Sequence, residues 1–67
     1  MGQSVVAWRD RIEKTQQSLA LARRAGHPYE AYLHRRRLEH LIETAALHDV
    51  DVEPWLDRAI LSVPEEL

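Results

Sequence analysis

Four histidines stand in a chain of 67 residues, at His27, His34, His40 and His48, and imidazole is the side chain best suited to holding a metal or carrying a proton near neutral pH. Their spacing argues against a metal. His34 and His48 are two heptads apart, about 21 Å along a helix, so one ion cannot take both from a single chain. His40 and Glu43, with Glu39 beside His40, could place two ligands on one helical face. Zinc takes three or four such groups, and di-iron helical bundles use Glu-x-x-His, the reverse order, answered by a second helix. No His or Glu cluster in the first 25 residues gives that answer. We expect no metal and no cofactor.

Nucleophilic chemistry finds no better footing. The chain has no cysteine and no glycine-rich phosphate loop, and none of Ser4, Ser18 and Ser62 sits beside a histidine in a recognisable motif. Those serines read more simply as a helix cap, a helical surface residue and a helix-end residue. The expectation is a protein that is not an enzyme. It has no disulfide or thiolate site, which fits a reducing cytoplasm, the expected location. The N-terminal MGQSVVAWRDR reaches charge at Arg9 after a very short apolar run, so neither a signal peptide nor a membrane span is expected.

Charge is the more informative chemistry. Net charge is −2, but its distribution is polarised. Arg23, Arg24, Arg35, Arg36 and Arg37 face a single carboxylate, Glu30, between residues 23 and 37. Residues 38–67 carry Arg58 against Glu39, Glu43, Asp49, Asp51, Glu53, Asp57, Glu65 and Glu66. The five arginines are candidate contacts for an anionic partner, nucleic acid included. Against nucleic acid stand the negative total charge and three consecutive arginines that must point in three directions on a helix. The opposite poles would also let two copies align head to tail, with charge choosing the orientation and apolar burial supplying the affinity.

The elements that position these groups are all helical. Pro28 to about His48 has the longest helical periodicity, and from Leu38 as reference Ala31, His34, Leu41, Ile42 and Ala45 fall within about 60° on a helical wheel. That is a buried stripe. Tyr29, Leu33 and Leu47 point roughly the other way and suggest a second packing face. Helix 1, about 4–25, starts on Ser4 as its cap and carries Val5, Trp8, Ile12, Thr15, Leu19 and Ala22 at alternating three- and four-residue spacings. Thr15, with Gln16 beside it, makes the middle of that seam polar, and a buried polar layer can fix register.

Gly26 is placed to end helix 1 and Pro28 to start helix 2, about 28–48, so the two fold back as an antiparallel hairpin. After Asp49, Val50, Asp51 and Val52, Pro54 opens a helix 3, about 54–63, with Trp55, Leu56, Ala59, Ile60 and Val63 on one side. A helix that short must dock, and the second face of helix 2 is its expected target.

The sequence therefore reads as one all-α domain over residues 1–67, a helical hairpin with a short third helix. Helix 3 is too short to cover the whole seam, which leaves part of Trp8, Ile12, Leu38 and Ile42 wet in a monomer. From this we expect a homodimer assembled as a four-helix-type bundle. Its self-interface is Val5, Trp8, Ile12, Leu19, Ala31, His34, Leu38, Leu41, Ile42 and Ala45. A histidine buried there would loosen the dimer on protonation, although hydrogen bonding at the seam edge is the simpler reading of His34. Trp8 reads as core, and Trp55 as the seat of helix 3 or an anchor for another protein. The expected function is a small non-catalytic protein-interaction module, an adaptor, regulator or accessory subunit. The alternative is a nucleic-acid-binding or regulatory protein that uses the arginine tip.

Overall fold

The structure, a computed structural model, describes residues 4–62. Two long helices, α1 (Val5–Arg24) and α2 (Pro28–Leu47), pack against each other along their length. A 3-10 turn (Glu53–Trp55) and a single helical turn, α3 (Arg58–Leu61), follow. The molecule is a rod of 39 × 18 × 16 Å.

Local chemistry sets the element ends. Ser4 is extended and its Oγ accepts from the Ala7 N–H at 3.2 Å, which satisfies one of the free donors at the start of α1. At the other end Gly26 takes φ +73°, the His27 N–H donates to the Ala22 carbonyl, and the Gly26 N–H to that of Arg23. This is a Schellman closure with glycine at the left-handed position. Pro28 then supplies the first residue of α2, where its missing N–H costs nothing.

α2 ends on the same motif with a different residue. Asp49 carries φ +58°, its N–H donates to Ala46, and the Val50 N–H to Ala45. Val50 then packs back against the core, the apolar contact that usually completes this closure. An L residue pays for left-handed backbone, and aspartate only less than most. Asp49→Gly should therefore stabilise the fold by about 0.5 kcal/mol and raise the melting midpoint by about 2–4 °C. A thermal melt followed by circular dichroism checks this, and an unchanged or lower midpoint contradicts it.

The core is the seam read from the periodicity. Ile12, Leu19 and Leu38 are fully buried, with Ala22, Ala31, Ala45, Val52 and Trp8 around them. Each large aliphatic side chain so buried contributes about 1.5–3 kcal/mol. The Trp8 ring meets the His48 imidazole at 5.8 Å between centroids, which closes the open end of the hairpin.

Three expectations need correction. The seam is not left wet: within one chain Trp8 retains only 4% exposure, and Ile12 and Leu38 none. The reason is that residues 50–61 run back over it and place Val50, Val52, Trp55, Leu56, Ile60 and Leu61 against it. The target of helix 3 also differs, because the outer face of α2 is uncovered, with Tyr29 64% and Leu47 84% exposed. Lastly, helix 3 is not continuous. Leu56 is extended at ψ 136°, and Asp57 caps a new turn by accepting from the Ala59 N–H at 2.9 Å. Val63, at the expected end of helix 3, lies outside the described residues.

Gln16 explains both the break and the docking. It is buried to 6% exposure, its Nε2 donates to the Trp55 carbonyl at 2.8 Å, and its Oε1 accepts from the Asp57 N–H at 2.7 Å. One amide thus takes up the two backbone groups that a continuous helix would have used internally. Thr15 Oγ1 bonds within α1, to the Arg11 carbonyl at 2.8 Å. The polar middle of the seam therefore ties the C-terminal segment to α1.

Candidate interaction surface

Helical periodicity divides the hairpin into two faces. Gln16 and Arg35 project to one side of the plane through α1 and α2, and Arg11, Ser18, Arg37 and Leu41 to the other. The first face is closed by the chain's own C-terminal segment, on which Arg35 Nη2 donates to the Leu61 carbonyl at 2.9 Å. The second face is open among the described residues. A groove there consists of two depressions of about 340 Å³ each.

The depression at mid-length is lined by Arg11, Lys14, Thr15, Arg37 and Leu41. Its floor is the buried Thr15 and half-buried Leu41, and its walls are cations from both helices. The guanidinium groups of Arg11 and Arg37 have no hydrogen-bond or ion-pair partner among the described residues, while Lys14 Nζ lies 3.1 Å from Asp10 on the outer surface. The depression nearer the hairpin turn is lined by Ser18, Leu21, Ala22, Ala25, His27, Glu30 and His34. His34 Nδ1 is buried and has no hydrogen-bond partner among the described residues. His27 Nδ1 stands 3.9 Å from Glu30.

The residues singled out from sequence distribute as follows. Of the proposed self-interface, Trp8, Ile12, Leu19, Ala31, Leu38 and Ala45 are interior to one chain; His34, Leu41 and Ile42 are half-buried, and Val5 is exposed. The arginines of the tip do not form one surface. Arg23 is half-buried, Arg35 holds the end of α3, Arg24 is exposed at the end of α1, Arg36 lies on the outer face of α2, and Arg37 lies in the open groove. Trp55 packs half-buried against the core with its carbonyl held by Gln16. Arg11 and Lys14 were not singled out, although with Ser18 and Leu21 they form an i, i+3, i+7, i+10 stripe beside the seam, which is the signal that marks them.

Among the described residues no group of three or more His, Asp or Glu is placed to hold a metal ion, and no helix is long and apolar enough to cross a membrane. No family model, curated protein or solved structure matches this chain.

Proposed function

We propose that this chain is a small non-catalytic protein-interaction module, an adaptor, regulator or accessory subunit, that folds as a single chain and receives its partner on the open face of the hairpin. One observation carries the reading: residues 50–61 close the seam on one side of α1 and α2, while no other described residue covers the groove on the other side, which both helices line. A four-helix dimer through the seam would first have to expel that segment and break both Gln16 hydrogen bonds. The nucleic-acid alternative loses its footing in the division of the five arginines among different faces, because phosphate binding draws on cations that share one.

The test is site-specific photocrosslinking in the cells that make the protein. A crosslinking amino acid at Ser18, on the open face, should give a discrete adduct with a different polypeptide, whereas the same group at Arg36, on the outer face of α2, should not. An adduct of twice the chain's own mass would point to self-assembly instead. Adducts of equal yield at both positions, or at neither, would sink the reading.

A further inference from the structure

The open groove has a charge that its surroundings do not answer. Several cations are matched: Arg9 has Glu13 at 2.7 Å, Arg58 has Glu53 at 2.9 Å, and Arg35 has the Leu61 carbonyl at 2.9 Å, while Arg24 at the end of α1 and Arg36 on the outer face of α2 stand exposed without such a partner among the described residues. Arg11 and Arg37, on facing helices around an apolar floor, have no such partner among the described residues, and Lys14 adds a third cation beside them. We propose that this groove binds an acidic amphipathic helix of another protein, with carboxylates meeting Arg11, Lys14 and Arg37 and an apolar stripe seated over Thr15 and Leu41. This rests on the interaction reading above and gives its partner a chemistry.

The occupant is a helix because the groove runs between two packed, antiparallel helices, whose ridges accept a third at the usual interhelical distance. Its apolar stripe is required by the floor. Leu41 is half-buried, and Leu21 lies exposed in the depression nearer the turn. Its acidity is required by the walls. A second copy fits poorly, since a two-fold axis bringing the open faces together would set these mid-length cations against their own counterparts, and like charges across an interface are costly. The acidic end of another copy would bind only head to tail, which builds open-ended chains. A nucleic acid would find three cations flanking an apolar floor, with Glu30 in the adjoining depression.

The probe is a synthetic peptide of about 18 residues, five helical turns, with leucines at i, i+3, i+4 and i+7 and glutamates flanking them. A control peptide carries lysines in place of the glutamates. Both are titrated against the whole chain by fluorescence anisotropy at low and moderate salt. The acidic peptide should saturate, bind more weakly at the higher salt, and move the amide resonances of Thr15 and Leu41. The double variant Arg11→Glu, Arg37→Glu should lose about tenfold in affinity for it and gain affinity for the lysine peptide. Both arginines are exposed, so an unchanged circular dichroism spectrum and melting midpoint would show that the variant is folded.

Four results would overturn the proposal: no saturable binding, equal binding of the two peptides, no reversal in the double variant, or displacement of the acidic peptide by a single-stranded oligonucleotide that binds more tightly. A crosslink at Ser18 without peptide binding would refute the acidic helix and leave the interaction reading standing. No crosslink and no binding would remove both.

Discussion

Leu38→Ala should lower the melting midpoint by about 12–24 °C and cost about 3 kcal/mol. Leu38 is fully buried in the core cluster that α2 shares with Ile12 and Leu19 of α1, against which Val50, Trp55, Leu56, Ile60 and Leu61 also pack. Truncation removes its transfer energy and leaves a cavity that two rigid helices cannot collapse into. A chain of this length is expected to hold only about 3–10 kcal/mol in total, so the loss is a large share of it. The measurement is a urea or thermal melt, and a loss below about 1 kcal/mol would mean that the seam is less tightly packed than the structure has it. Because Leu38 faces the inside of a single chain, the effect should not depend on protein concentration. A midpoint that rises with concentration would return the seam to an interface between copies.

Gln16→Leu is expected to have the next largest effect, with a different signature. The substitution keeps roughly the volume and removes both hydrogen bonds, leaving the Trp55 carbonyl and the Asp57 N–H without partners in a partly buried place. A loss of about 2 kcal/mol follows. It should be felt first in residues 53–61, so amide exchange at Asp57 and Leu61 should accelerate before that of Leu19 or Leu38. Uniform acceleration through the whole chain would show that the segment and hairpin unfold as one unit.

Gln16→Glu sharpens the test. A carboxylate there can still accept from Asp57 but repels the Trp55 carbonyl, so the folded state favours the protonated acid and raises its pKa above the unfolded value. A group shifted in that direction adds stability at low pH and loses it as pH rises through the folded pKa. The deficit of the variant relative to the native chain should therefore shrink on acidification, and a pH-independent deficit would count against the two-sided clamp.

The parts of the fold that could be read from the chain are those whose causes are local. Ser4, Gly26 and Pro28 act on backbone groups within a few residues of themselves, so composition and spacing reveal the ends of α1 and the start of α2. The buried stripe is legible for the same reason, since Ile12, Leu19 and Leu38 repeat with the helical period. What was hidden depends on distance along the chain. Gln16 finds its partners 39 and 41 residues away, and nothing in its neighbourhood announces a pairing with two backbone groups rather than with water. The break at Leu56 follows from that pairing and from the Asp57 cap, against a periodicity of Trp55, Leu56, Ala59 and Ile60 that runs smoothly across it.

The exposed outer face of α2 misled in the opposite sense. Tyr29, Leu33 and Leu47 repeat at helical spacing yet remain exposed, Leu33 at 44%, because the short C-terminal segment packs on the buried seam and not on the back of α2. The open groove was overlooked because its residues are mixed in type. Arg11 and Lys14 on α1 share one depression with Arg37 and Leu41 on α2, and Ser18 shares the other with Glu30 and His34, and the surface they make exists only once the hairpin has folded.

The proportions of the rod bear on hydrodynamics. A compact chain of this length would have a radius of gyration of about 11 Å, whereas this one has 12.1 Å, with its long axis more than twice either short one. Such a particle drags more than a sphere of equal mass. On a column calibrated with spherical standards a lone chain should elute early, as though heavier than its 7.8 kDa, while light scattering on the same peak, which weighs the particle irrespective of its outline, should return the mass of one chain.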